Sequence, residues 1–311
     1  MITGGPDDAA GVVLALDFGG TKIDVGSAQL DGELIMSERI ETRAEDGAAQ
    51  AVERAIALAR RLAEQTAGNC LAVGAVSPGI VEDDRILLAP NVPDWERLQL
   101  ATVLREGLGV SSIAVGNDVN AAALAESRWG ALREADVGVL LSLGTGVKAG
   151  LVIDGRVFQG AHGAAGEIGY SLRDPADSSG FALGHAPLEE FVGGRALGER
   201  ASALVGEDLT AADVFDHPRL PAEFLDEWLA ELTTHVANLA IAVNPRRIAV
   251  GGGLMAHGET ILPALRKRVA EAVPFPPEVV AARFLRDGAL RGAVALATDA
   301  LAAGVVIEER Q

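Results

Sequence analysis

The same short plan occurs twice in this chain. Residues 12–40 read as an apolar strand over 12–18, the turn "FGGTK", a second strand over 23–30, the turn "LDGE" and a third strand over 33–40. Residues 137–160, "VGVLLSLGTGVKAGLVIDGRVFQG", repeat that order as strand, glycine turn, strand, Asp-Gly turn, strand. Apolar runs bounded by glycine and Asp-Gly turns are the local signature of hairpins, and self-similarity at this scale points to internal duplication. Behind the first copy, "GAAQAVERAIALARRLAEQ" has helical spacing, "CLAVGAVSPGI" is a strand entering a Pro-Gly turn, and "TVLREGL" is a short helix. "SSIAVGND" is a strand that runs directly into the helix "NAAALAESRWGA". Behind the second copy comes an irregular stretch over 161–187, then a helix and the long helical segment "AEFLDEWLAELTTHVANLAIAV". The strand "RRIAVGGGL" follows, and two further helices flank the strand "EVVAARF". Strands alternating with helices specify an α/β fold of two halves, each opening on a strand–glycine turn–strand unit.

Charge and cysteine content exclude several functions. Lys and Arg number 26 against 44 Asp and Glu, a net charge of −18 that repels phosphate backbones and anionic membranes, and no local basic patch offsets it. A nucleic-acid or membrane partner is not expected. Cys70 is the only cysteine, so neither an intramolecular disulfide nor a cysteine-built zinc cage is possible. The opening residues lack the basic and apolar regions of a signal peptide, and no apolar run reaches membrane-spanning length, so a cytoplasmic protein is expected.

An ionised carboxylate inside an apolar strand is costly unless something neutralises it, and Asp17 sits in such a strand. The turn behind it, Gly19-Gly20-Thr21-Lys22, and its counterpart Gly144-Thr145-Gly146 explain themselves only in part as hairpin chemistry. Hairpins account for the glycines but give Asp17, Thr21 and Thr145 no task, whereas phosphate binding uses all of them, because glycine N–H groups can approach an anion closely. Neither turn fits the Walker pattern, and "GGGL" at 251–254 is not a dinucleotide-binding fingerprint. In "VGNDVN", Asp118 stands at the C-terminal end of a strand with a helix behind it, a usual place for a site residue in α/β proteins; the alternative is a helix N-cap.

The segments "LALDFGGTKIDVG", "VGNDVNAAALAE", "LSLGTGVKAGLVIDG", "AAGEIG", "PLEEFVGG" and "IAVGGGL" resemble, in order and spacing, the ROK family of bacterial sugar kinases and related repressors. The resemblance runs from about residue 12 to about residue 304. It implies the actin/hexokinase-like ATPase fold, duplicated ribonuclease H-like domains around a cleft, with 11–118 plus 288–307 as the smaller domain and 119–287 as the larger. It implies transfer of the ATP γ-phosphate to a hexose hydroxyl, usually the 6-hydroxyl, by a homodimer that also needs Mg²⁺. Residue by residue, it makes Asp118 the general base and Asn117 a sugar-hydroxyl ligand. Asp17 would hold magnesium through water, and Gly19, Gly20, Thr21, Lys22, Gly144, Thr145 and Gly146 would cradle phosphate. Gly251, Gly252 and Gly253 would lie under adenine and ribose. Glu167 and Glu189 would read ring hydroxyls, with Glu190 as the alternative to Glu189, and Pro78, Gly79 and Asn91 complete the sugar loops.

The chain departs from the family pattern in three places. The family's zinc histidine position holds Tyr170, and its cysteine positions fall near Gly180, Ala182 and Pro187. His185 beside Asp174 and Asp177 is a poor substitute for that ligand set, so no zinc is expected. Tyr170 should alter the anomeric end of the pocket, which keeps a modified substrate such as a cyclitol open, and, being neutral, leave the site more anionic, which favours an aminohexose such as kanosamine as an alternative to glucose. Lys148 stands where the family usually has glycine, either touching an ATP phosphate or lying at the surface. A family repressor would need a helix-turn-helix ahead of the first strand; with about eleven residues there and a charge unsuited to DNA, a repressor is not expected. A non-catalytic sugar sensor is the remaining alternative, and the retained Asp17, Asp118 and both turns argue against it.

Overall fold

A computed structural model describes residues 11–82, 85–89, 92–175, 177 and 180–308, with side chains to residue 303. The chain divides into two compact units, one running to Ala122 and resuming at Ala289, the other spanning Ala123–Gly288.

In the first unit, strands β1 (Val12–Phe18), β2 (Lys22–Gln29) and β3 (Leu34–Glu41) form an antiparallel meander. Helix α1 (Ala48–Gln65) leads to β4 (Cys70–Ser77), the small hairpin β5 (Ile80–Val81) and β6 (Ile86–Leu87), helix α2 (Leu100–Leu108) and β7 (Ile113–Asn117). β4 and β7 add to β1 in parallel, giving the order β3-β2-β1-β4-β7. Parallel strands need both faces covered, which explains why β1 and β4 are apolar nearly throughout. Ala51, Val52, Ala55, Ala59 and Leu62 of α1, spaced three and four apart, bury one stripe with Leu14, Leu16 and Val73 in this unit's core. The last helix of the chain, Gly288–Glu308, approaches β4 so closely that a side chain at Gly74 would collide with the Ala293 carbonyl. Trp95 packs on Phe18 at 5.3 Å between ring centroids and donates to Ser77 Oγ at 2.8 Å, which ties the loop after β6 to the sheet.

Helix α3 (Asp118–Trp129) follows β7 without a loop. The second unit then repeats the meander as β8 (Val137–Leu143), β9 (Val147–Ile153) and β10 (Arg156–Val157). After helices α4 (Glu189–Val192), α5 (Gly194–Val205), α6 (Ala211–Val214) and α7 (Ala222–Val243), β11 (Arg247–Gly251) joins β8 in parallel. Helix α8 (Gly258–Ala272) and β12 (Glu278–Ala281) complete the order β10-β9-β8-β11-β12. Position for position this is the topology of the first sheet, so the duplication extends from sequence pattern to strand order and direction. The third strand of the second copy is only two residues long rather than continuing to residue 160. Its pairing with β9 stops at Val157, and Gly160, at φ +72°, lies beyond it outside the extended region. The core of this unit is built from β8, β9 and β11 around Trp228, which is fully buried and donates to the Val192 carbonyl at 3.1 Å.

Candidate active site

Duplication places a tight turn at the same end of each sheet, beyond the first strand. In the first unit, the Gly19 N–H donates to the Lys22 carbonyl at 2.9 Å, closing the turn between β1 and β2. Thr42 braces it from β3's end: its hydroxyl donates to the Gly19 carbonyl at 2.6 Å and its N–H to the Thr21 carbonyl at 2.9 Å. With the turn's carbonyls occupied in this way, Thr21 and Lys22 project exposed from its tip.

Cross-strand register decides the electrostatics behind this turn. Asp17 on β1 lies opposite Asp24 on β2, and Asp24 lies opposite Arg39 on β3. Arg39 makes a two-pronged ion pair with Asp24, Nε at 2.6 Å and Nη2 at 2.8 Å, and so spends its charge there. Asp17 is therefore left undercompensated. Burial above all, then the carboxylates of Asp118 and Asp24, push its pKa from 3.8 to about 7, while Arg39 offsets part of that rise.

Asn117 and Asp118 sit where β7 becomes α3. The Asn117 side chain accepts from the Asn120 N–H at 3.0 Å, an N-cap, and donates to the Gly79 carbonyl at 2.7 Å. Asp118 accepts from the Val119 N–H at 2.8 Å. The N-cap alternative thus holds for Asn117, and the same bond to Gly79 draws the Pro78-Gly79 loop to the strand end. Gly79, at φ +89°, has no space for a side chain beside the Leu87 carbonyl. Asn91 lies outside the described residues.

In the second unit, the turn Gly144-Thr145-Gly146 is closed by a bond from the Gly144 N–H to the Gly146 carbonyl at 3.0 Å. Its other carbonyls face the start of α5, which donates from Gly194 to Gly144 at 2.9 Å and from Arg195 to Thr145 at 3.1 Å. Gly252, at φ +93°, lies against the Leu143 backbone so tightly that no side chain fits, which seats the 251–253 turn on the end of β8. Beside Gly144 and Gly253 the space a side chain would occupy is open. This is the form expected of a surface that receives a nucleotide. In the first unit, taken by itself, the undercompensated oxygen donor of Asp17 fits a hard divalent cation.

Glu167, Tyr170 and Glu189 gather nearby. Gly166, at φ +86°, is held to β9 by the Ala149 N–H at 2.8 Å, and Glu167 and the turn Ile168–Tyr170 follow it. Glu189, at the start of α4, accepts from the Val147 N–H at 3.0 Å and fills the space a side chain at Gly146 would need, joining the Gly144–Gly146 turn to the cluster of Glu167 and Tyr170. Glu190 points elsewhere: it is exposed and takes His185 Nδ1 at 3.1 Å and the Ala186 N–H at 3.0 Å, so Glu189 is the member of the pair within this cluster. Burial, then Glu167 and Glu189, raise the Tyr170 phenol above the ordinary tyrosine range, so it stays neutral. Its ring meets Phe181 edge-on at 5.6 Å.

Lys148 does not lie exposed at the surface. Its ammonium pairs with Glu167 Oε1, with only 14% of the lysine side chain and 21% of the glutamate exposed. Lys148 thus offsets part of the negative charge expected around Tyr170: of Glu167 and Glu189, one carboxylate has a lysine for partner. Spacing alone did not reveal this pair, because Lys148 and Glu167 lie 19 residues apart on different elements. Among the described residues no group of three or more potential metal ligands is present.

The family model for the ROK family matches residues 13–300. The chain belongs to the ROK family. An N-acetyl-D-glucosamine kinase of Vibrio cholerae is 32% identical over 300 residues, 90% of this chain and 97% of that protein. A glucokinase of Halalkalibacterium halodurans is 31% identical over 299 residues, 87% of this chain and 88% of that protein. A ROK family glucokinase from Streptomyces griseus, solved in complex with glucose and AMPPNP, superposes with a TM-score of 0.77 at 26% identity, covering 93% of this chain and 99% of that one. This ROK protein accordingly has the actin/hexokinase-like ATPase fold, and its relatives are sugar kinases. No described helix is long and apolar enough to cross a membrane.

Proposed function

We propose that this ROK protein transfers the γ-phosphate of ATP to the 6-hydroxyl of a hexose or hexose-like sugar, with Asp118 as general base. The observation that carries the reading is the juxtaposition of Asp17 and Asp118, whose charges oppose each other strongly enough to help raise Asp17 to about 7. Two carboxylates, Asp17 on β1 and Asp118 just beyond β7, with one guanidinium already spent elsewhere form a site that gains by taking up a cation. A magnesium ion held there through Asp17 would neutralise charge on the transferring phosphates.

Phosphoryl transfer asks the protein mainly to position and to neutralise. In this reading Gly19–Lys22 and Gly144–Gly146 offer N–H groups and the Thr21 and Thr145 hydroxyls to phosphate oxygens, and Gly251–Gly253 underlie the nucleoside. Asn117, its amide fixed by Gly79 and Asn120, orients the acceptor sugar together with Pro78 and Gly79. Glu167, Glu189 and Tyr170 take ring hydroxyls. Asp118 accepts the 6-hydroxyl proton as that oxygen attacks phosphorus, so that no unstable alkoxide has to form first. An ADP-release assay at fixed Mg-ATP with hexoses, aminohexoses, N-acylhexosamines and cyclitols tests this. Phosphorylation at a primary hydroxyl is expected, and ADP release that no sugar raises above background would refute it.

A further inference from the structure

The charge and donor inventory of the sugar-side cluster points to its substrate. Lys148 contributes one cation against the two anions Glu167 and Glu189, and Tyr170 adds a neutral hydroxyl. Glu167 is spent on Lys148 and Glu189 on the Val147 N–H, so each carboxylate has given one oxygen to the protein itself. An ammonium carries three N–H donors, and among the described residues that of Lys148 meets one acceptor. Among the described residues the Tyr170 hydroxyl meets no hydrogen-bond partner, and its ring packs on Phe181. The cluster holds unspent donors on Lys148 and Tyr170 beside one unspent oxygen on each carboxylate, and Lys148 cancels one of its two negative charges. It is also rigid: the Ala149 N–H holds Gly166 to β9 one residue from Lys148, so the lysine and Glu167 approach through adjacent fixed backbone.

We infer that Lys148 is a specificity-determining residue of the acceptor site, selecting a sugar with an accepting substituent, an acyl carbonyl or carboxylate oxygen, over the same sugar bearing an ammonium. A substituent oxygen that only accepts satisfies the free N–H groups of Lys148. An ammonium substituent brings a second positive charge beside a lysine that is only slightly exposed, and with Glu167 already paired to that lysine only Glu189 is left to meet it. The inference rests on the sugar-binding assignment of Glu167 proposed above.

The test compares glucosamine, N-acetylglucosamine and gluconate, with glucose as reference, at a pH where the amine is protonated. Both kcat/KM and calorimetric sugar binding without nucleotide are measured in wild type, Lys148→Met, Lys148→Gln and Lys148→Arg. Preference for at least one acceptor-bearing compound over glucosamine should fall about tenfold in the Met and Gln variants and return in Lys148→Arg. The N-acetylglucosamine and gluconate arms tell carbonyl from carboxylate. An unmoved preference in whichever of the two neutral variants folds overturns the inference. A calorimetric shift in preference without phosphorylation of any sugar upholds it and instead overturns the transfer reaction. Wild type binding none of the sugars overturns both.

Discussion

Asp17→Asn should make the metal-free protein more stable at neutral and alkaline pH while impairing it as an enzyme. Asp17 titrates near 3.8 in the unfolded chain and at about 7 in the folded protein. The folded state therefore binds the extra proton between those values. Stability from this group is fully present below pH ~4, is lost as pH rises toward ~7 and is level above that. At ~1.4 kcal/mol per pKa unit, the shift of roughly three units amounts to about 4 kcal/mol lost above neutrality. Asparagine keeps the shape and removes the charge. The stability gap in favour of the variant should thus widen by about 2–3 kcal/mol between pH 5 and pH 8. Urea unfolding of both proteins in chelator at the two pH values measures it. Millimolar Mg²⁺ should stabilise wild type at pH 8, by mass action on the folded state, and leave the variant unaffected. Urea midpoints that keep a constant separation across pH would show that Asp17 is not undercompensated. Identical responses to Mg²⁺ would remove it from the metal site.

Asp118→Asn should lower kcat by ~100-fold or more with little change in calorimetric sugar affinity, since general-base catalysis is worth that much; an unchanged kcat removes Asp118 from the chemistry. Gly146→Ala would drive a methyl into the Glu189 carboxylate and should raise the sugar KM several-fold more than the ATP KM; equal effects would argue that Glu189 does not serve the sugar. Gly252→Ala combines a positive φ with a collision against the Leu143 backbone and should cost about 1–3 kcal/mol in urea unfolding, an effect that wild-type-like midpoints would contradict.

Much of the scaffold was legible because its signals are local. Alternation, turn glycines and the apolar runs place β1 on residues 12–18 and α7 on residues 222–243, where the structure has them. The repeat was legible too, since two copies of one hairpin pattern need only be compared with each other. What pattern could not supply is pairing across the sheet. Nothing in "KIDVGSAQ" or "LIMSERIE" announces that Asp24 and Arg39 will be partners, yet β2–β3 register makes them so and thereby withholds the guanidinium from Asp17. The Asn117 N-cap illustrates the converse, a local signal whose structural and functional readings coexist in one side chain.

The sugar-side cluster carries this further. Tyr170 in place of a histidine, considered by itself, argues for a site that welcomes positive charge, and the argument is sound for an isolated substitution. It is incomplete here because Lys148, on strand β9, supplies a cation to the same cluster. The two departures therefore act on one property, the charge beside Glu167, and must be weighed as a pair. A strand residue whose side chain could equally face solvent or phosphate discloses its partner only once Gly166 has turned the 166–170 segment back onto β9. Removing Tyr170 or Lys148 singly would then misreport the contribution of each, since residues sharing a carboxylate partner couple. The non-additivity of Tyr170→His and Lys148→Gly in acceptor-sugar preference is the quantity that shows whether the two changes arose around the same substrate group.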